Sequence, residues 1–232
     1  MSSRLIYGFH AVTAKLRHDP GALKEIIVDA TRQDVRARDL LVHAELQGVK
    51  IIVSDGKRLD GMAPGAKHQG VIAVVEGGRK VAHLDDVLDT LEEPAFLLVL
   101  DGITDPRNLG ACLRVADAAG VHAVIAPKDR AVGLTDVAAK TASGAAESVP
   151  YVMVTNLART LRELKERDIW VIGTAGEAPS DLYAAEWPVA TAWVLGAEGE
   201  GMRRLTRETC DQLVNIPMHG SVESLNVSVA AG

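Results

Sequence analysis

Three stretches concentrate the side chains able to do chemistry: DGITDPRNLGACLR at 101–114, LGAEGEGM at 195–202 and IPMHGSVESLNVS at 216–228. The first offers the amide of Asn108 and the guanidinium of Arg114, the second the carboxylates of Glu198 and Glu200, the third the hydroxyl of Ser224 and the amide of Asn226. Amides, hydroxyls and carboxylates orient a polar substrate, while a guanidinium holds an anion or a developing negative charge. Plainer readings stand beside these. Asn108, after Pro106 and Arg107, serves equally well as a helix N-cap, and Gly196, Gly199 and Gly201 serve equally well as a tight turn. Arg114 lies among Leu113, Val115 and Ala116, where an unpaired guanidinium is costly to bury, so it needs Glu198 or an anionic substrate as partner. Neither a Walker loop nor GxGxxG is present, and Glu198 and Glu200 would repel phosphate from the glycine loop. The last residues, 220–232, do not read as a frayed tail. Ser221, Ser224, Asn226 and Ser228 run into Val227, Val229 and two alanines, which predicts buried, hydrogen-bonded backbone opening a helix whose first turn faces a ligand.

The elements that position these loops follow from periodicity. Continuous apolar runs at 96–100, 122–126, 151–154, 170–172, 192–195 and 213–216 read as buried strands. Between them lie helical patterns at 109–119, at 135–142 with Thr135 as cap, at 157–167 after Asn156, and from Thr206. This alternation predicts an open, mostly parallel sheet with helices on both faces and ligands at the carboxyl ends of its strands. All three chemical stretches fall at such ends. In front lies a smaller α/β module. A helix starts at Gly8 with Phe9, Val12 and Leu16 on one face, and strands follow at 24–28, 49–53 and 71–75. A helix at 34–46 ends at Gly48, and Ser54 is expected to cap a short helix through Leu59. The domains expected are thus 1–75, a glycine-rich basic linker at 76–82, and 83–232.

Composition bounds the function. The chain has 232 residues, 47% hydrophobic and 24% charged, with only 3% aromatic, so the core is built from Val, Leu, Ile and Ala and stacking platforms for single-stranded nucleic acid are not expected. No apolar run approaches the roughly 18 residues of a membrane span, and the start MSSRLIYGF lacks a signal peptide's apolar stretch, so a cytoplasmic protein without membrane contact is expected. Cys112 and Cys210 each fall in a predicted helix and read as reduced thiols. The net charge of −6 hides an asymmetry: residues 1–75 carry 11 Lys and Arg against 8 Asp and Glu, the remainder 14 against 23. An RNA-facing surface and an ordinary solvated face both fit the basic front.

DPRNLGACLRVADAAG, LGAEGEGM and IPMHGSVESLNVSVAAG resemble, in order, the three signature motifs of the SpoU/TrmH family of RNA ribose 2′-O-methyltransferases, part of the knotted SPOUT superfamily. YGFHAV and KHQGVIA in the front module are similar to the L30e-like substrate-binding domain of the family's bacterial 23S rRNA guanosine-2′-O-methyltransferases. The resemblance implies a trefoil-knotted methyltransferase domain over 83–232, against the general rule that chains do not knot, and an L30e-like RNA-binding domain over 1–75. It implies S-adenosyl-L-methionine as cofactor, lined by Thr174, Gly176, Leu195, Gly196, Ile216, Pro217 and Leu225, with no metal. Asn108, Arg114, Glu198, Ser224 and Asn226 are carried over as catalytic residues of a homodimer whose site is completed across the interface. The relatives continue past SLNVSVAAG with a further helix, apolar and then basic.

The implied reaction is methylation of a ribose 2′-hydroxyl, with a guanosine in the peptidyl-transferase region of 23S rRNA as the expected target. Arg114 is the family's nominal base. A guanidinium keeps its proton in proteins, so stabilising the developing alkoxide is the favoured role. Glu198 is expected to hold Arg114, with Asn108 and Asn226 orienting the ribose. Three rival readings are a tRNA-directed 2′-O-methyltransferase, a catalytically silent RNA-binding adaptor, and a nicotinamide-dependent enzyme. The last lacks its GxGxxG fingerprint and the acidic residue for its ribose.

Overall fold

β-Branched and leucine runs punctuated by glycine form the elements of a computed structural model that describes residues 3–76, 83–184, 186–222 and 224–232. The chain divides into two compact units, Met1–Lys80 with Ser143–Ser148, and Val81–Ala142 with Val149–Gly232. The expected linker at 76–82 lies, beyond Glu76, outside the described residues.

The first unit runs β1 (Ser3–Tyr7), α1 (Phe9–His18), β2 (Leu23–Asp29), α2 (Val35–Leu46), β3 (Lys50–Ser54), α3 (Gly56–Met62) and β4 (Val71–Glu76). Its four strands lie in the order β1-β4-β2-β3, with β4 antiparallel to both neighbours and β2 parallel to β3. Val12 and Leu16 of α1 and Leu40 of α2 bury against Ile26, Val28 and Ala73 on one face, while Leu59 of α3 meets Ile27 and Ile72 on the other. The period-2 alternation of these strands divides their side chains between two cores. Two features depart from the sequence expectation. β1 has no counterpart in the sequence reading, being one short run directly before the α1 start. Asp55 rather than Ser54 caps α3, its carboxylate accepting from the Arg58 N–H at 2.8 Å.

In the second unit come α4 (Leu84–Leu88), β5 (Phe96–Asp101), α5 (Pro106–Ala118), β6 (Ala123–Pro127) and α6 (Asp136–Thr141). After α6 the chain contributes α7 (Ala145–Ser148) to the first unit. It continues with β7 (Tyr151–Val154), α8 (Leu157–Lys165), β8 (Trp170–Thr174), β9 (Ser180–Asp181), β10 (Thr191–Gly196), α9 (Arg204–Thr209), β11 (Gln212–Asn215) and α10 (Val227–Ala230). The seven strands stand in the order β7-β6-β5-β10-β8-β11-β9, every described pairing parallel. Leu97, Val99, Ile125, Val171 and Val194 pack with Leu157, Leu161 and Leu164 of α8. The alternate positions Leu98, Leu100, Val124 and Ile172 are equally buried and point to the face that carries Leu109 and Leu113 of α5. Burying each such side chain is worth about 1.5–3 kcal/mol, against about 1 kcal/mol for a cap. The two faces of the sheet therefore hold the unit, and the caps set where its helices begin.

Thr135 and Asn156 cap α6 and α8 as expected. Asn108 is not the cap of α5. Asp105 accepts from the Arg107 N–H at 2.7 Å and Pro106 takes the first helical position, where its missing N–H costs nothing. This starts the helix earlier and leaves the Asn108 amide free to face elsewhere. Both cysteines are free. Burial pushes the Cys112 thiol up to about 12. Cys210 sits at the C-cap of α9 rather than within a helix, its thiol raised to about 11 by burial first and then by Asp211.

Candidate active site

Parallel β5, β10 and β8 all end at one edge of the sheet, at Asp101, Gly196 and Thr174. The chain runs out to β6 on one side of β5 and back to β10 on the other, which opens a crevice at a topological switch point. The loop after β10 closes over that crevice. Ala197 and Gly201 bridge each other through reciprocal backbone hydrogen bonds of 3.1 and 2.8 Å, and Gly199 and Gly201 adopt φ of 81° and 67°. A Cβ on Gly196 would lie 2.2 Å from Gly201 C and from Met202 N, so only glycine admits this return of the backbone.

Asp101 anchors the far side of the loop. Its carboxylate is buried, accepting from Arg203 Nε at 2.7 Å and from the Arg203 N–H at 2.9 Å. Sequence reasoning missed this pair, although an aspartate closing five apolar strand residues is itself a signal. Arg203→Ala would leave the carboxylate with a single backbone donor. We expect it to cost about 3 kcal/mol, read as a fall in the urea midpoint at unchanged m-value.

Below the loop lies a cavity of about 430 Å³, within the usual range for small-ligand sites. Six of the seven residues expected to line a cofactor line this cavity: Thr174, Gly176, Leu195, Gly196, Ile216 and Leu225. Pro217 is not among the lining residues, whereas Met202, Met218 and Val227, which the sequence reading passed over, are. The Thr174 hydroxyl is spent within the fold, donating to Val194 O at 3.2 Å. Among the described residues, the charged lining is Glu177, Glu198 and Glu200 against Arg207. Arg207 in turn pairs with Glu177, whose carboxyl is held below its usual range first by a backbone N–H and then by that guanidinium. Apolar walls with an acidic surplus suit a ligand carrying positive charge and repel a phosphate chain. An S-adenosylmethionine, with its sulfonium, fits this donor set.

At the mouth of the cavity three predicted residues converge. Glu198 Oε1 accepts from Asn226 Nδ2 at 2.5 Å, from the Val227 N–H at 3.2 Å and, at the longer distance of 3.5 Å, from Asn108 Nδ2. Asn226 Nδ2 also donates to Asn108 Oδ1 at 3.0 Å. Asn226 Oδ1 meanwhile caps α10, accepting from the Ser228 N–H and hydroxyl at 3.0 and 2.6 Å. This network fixes which way each amide points. Ser224 lines the cavity, and its hydroxyl has no partner among the described residues.

Arg114 does not join them. It is exposed on α5 with no hydrogen bond or ion pair among the described residues, so neither its expected burial nor its expected pairing with Glu198 occurs. Six residues beyond Asn108, it lies about 9 Å along the helix and about 120° around it. Leu113 and Ala116 take the core face and leave Arg114 the solvent. The C-terminal stretch also differs from expectation. Ser221, Ser224 and Asn226 are exposed, and among the described residues of this stretch only Val227 is buried, with Val229 61% exposed. A short helix does start there as predicted, but it buries one side chain rather than its backbone.

Among the described residues, no helix is long and apolar enough to cross a membrane, and no group of three or more His, Cys, Asp or Glu is placed to hold a metal ion. Residues 95–232 match the SpoU rRNA Methylase family, and residues 5–80 match the family described as RNA 2′-O ribose methyltransferase substrate binding. The chain is 64% identical over 230 residues to a Ralstonia nicotianae protein named 23S rRNA (guanosine-2′-O-)-methyltransferase RlmB, covering 99% of this chain and 92% of that one. To the Escherichia coli protein of the same name it is 56% identical over 232 residues, 99% and 95% of the two chains. Among solved structures it resembles the SpoU methyltransferase AviRb from Streptomyces viridochromogenes, in complex with the cofactor AdoMet, at 26% identity and a TM-score of 0.75, covering 99% and 86%. An RNA 2′-O ribose methyltransferase, 24% identical with a TM-score of 0.77 over 99% and 84% of the two chains, shares the fold.

Proposed function

The chain belongs to the SpoU rRNA methylase family, and from that premise we propose that it methylates the ribose 2′-hydroxyl of a guanosine in 23S rRNA, using S-adenosylmethionine. The observation that carries this reading is the Asn108–Glu198–Asn226 network at the mouth of an acidic, apolar-walled cavity. Leu195, Ile216, Leu225 and the backbone around Gly196 would hold the cofactor there. When bound, S-adenosylmethionine supplies a methyl group already activated by its sulfonium. What is left to the protein is to place the hydroxyl and to manage its proton.

Asn108 and Asn226, held by Glu198, orient the ribose, and the unpartnered Ser224 hydroxyl anchors the substrate beside them. The Arg114 guanidinium stabilises the alkoxide as it develops. Its distance from Asn108 on α5 supports a homodimer in which each site borrows the guanidinium of the other copy. The same reading includes a trefoil knot in 83–232, RNA capture by the L30e-like residues 1–75, and action in the cytoplasm. Mixing an Arg114→Ala protein with a Glu198→Ala protein should then restore part of the activity that each lacks alone, because one site of the mixed dimer keeps both groups. No recovery in a mixture shown to exchange subunits would place Arg114 in its own protomer's site or in none. Labelled methyl transfer to a 23S rRNA transcript, set beside tRNA, tests the substrate assignment, and transfer to tRNA alone would contradict it.

A further inference from the structure

We propose that Arg107, Lys128 and Arg130 form an RNA-backbone contact within the methyltransferase unit itself, gripping phosphodiesters beside the target nucleotide. The inference rests on the RNA 2′-O-methylation reading and adds a site to it.

Three observations carry it. The loops after β5 and β6 leave the sheet at the same carboxyl edge as the cavity, and they are tied together. The Val132 N–H donates to Ile103 O at 2.9 Å, and Ile103 stands between Asp101 and Asn108 in the chain. The β6 loop is held at two further points, the Lys128 N–H donating to Val154 O at 2.8 Å and the Tyr151 hydroxyl to Val132 O at 2.7 Å. A loop fixed in this way presents its side chains at the same edge as the β5 loop that leads into Asn108.

The second observation is what it presents. Lys128 is exposed and has no partner among the described residues. Arg130 is 75% exposed on a left-handed backbone with φ of 55°, and its one described partner, Asp129, stands 4.0 Å away, beyond hydrogen-bond reach. Lys128 and Arg130 flank the exposed Asp129, in residues 76–232 that carry 14 Lys and Arg against 23 Asp and Glu.

Arg107 supplies the third. It occupies the second position of α5, where the helix dipole disfavours a cation and the capping Asp105 carboxylate offsets part of that, and its guanidinium has no partner among the described residues. A cation at this position adds little to the stability of the helix and leaves its charge for a partner outside the fold. An ordinary solvated face would place such a charge elsewhere on the helix. Exposed guanidinium and ammonium groups along one held edge match a phosphodiester backbone, which releases counterions as each cation engages.

The test is the salt dependence of binding to a 23S rRNA fragment between 50 and 200 mM salt. Each lost phosphate contact should lower the slope of log K against log salt by about one. A Lys128→Ala/Arg130→Ala double variant should therefore lose about two units of slope, and Arg107→Ala about one. S-adenosylmethionine affinity should stay at the wild-type value, since none of the three lines the cavity. A Lys128→Arg/Arg130→Lys protein should keep the wild-type slope. Wild-type protein that binds and methylates RNA, with an unchanged slope in the alanine variants, would overturn this proposal alone. Wild-type protein that binds no RNA would overturn the functional reading and this proposal together.

Discussion

Replacing Glu198 with alanine should lower the rate of methyl transfer by about 100-fold while leaving the thermal midpoint within a few degrees. One carboxylate oxygen accepts from the amides of Asn108 and Asn226 and from the Val227 N–H, so it sets the positions of both groups meant to orient the ribose. Misplacing a reacting group by about 1 Å costs about that factor. Stability responds far less, because Glu198 is exposed and a hydrogen bond contributes only about 0.5–1.5 kcal/mol net. Glu198→Gln keeps one acceptor oxygen and should retain much more activity than the alanine. Single-turnover transfer of a labelled methyl, with calorimetry for the cofactor, separates the two effects. Loss of cofactor affinity in place of rate would assign Glu198 to the cavity wall.

Gly196→Ala should abolish tight cofactor binding, raising Kd by more than about tenfold, and should destabilise the protein by about 1–3 kcal/mol. Its added methyl would meet backbone, at 2.2 Å from Gly201 C and Met202 N and 2.6 Å from Gly201 O, and backbone cannot rotate aside as a flexible side chain does. The strain falls on the loop that carries Glu198 and Glu200 and is anchored by Arg203 on Asp101, so wall, network and anchor are all displaced. Gly220→Ala is the control. A Cβ there meets nothing within 4 Å and φ is not in the left-handed region, so a change within about 0.5 kcal/mol is expected. A Gly196→Ala protein with wild-type cofactor affinity would show that the cavity is not the cofactor site.

Much of this architecture is written locally. Apolar runs of strand length, Asn156 and Thr135 before their helices, and glycine after Leu46 all act within a few residues, and the elements formed where those signals stand. The convergence of three distant loops was legible because each follows a strand of one parallel sheet. What failed was side-chain environment. The exposure of Arg114 depends on which face of α5 the core takes, and its neighbours in sequence do not report that. Asn108 looked like a cap because the spacing admits it, but Asp105 caps the Arg107 N–H and Pro106 has none to satisfy, so the helix begins before Asn108, which lies inside its first turn. The Asp101–Arg203 anchor spans a hundred residues, so no local pattern links its halves. The backbone of the last residues looked buried among valines and alanines, yet among the described residues after Gly220 only Val227 is buried.

The central claim is methylation of one guanosine ribose in 23S rRNA. Mapping ribose methylation across total RNA, with and without this gene, tests it most directly. The account predicts that a single 2′-O-methylguanosine of 23S rRNA disappears with the gene and returns with the wild-type protein but not with Glu198→Ala. An unchanged 23S rRNA, or a loss confined to a tRNA position, would contradict it.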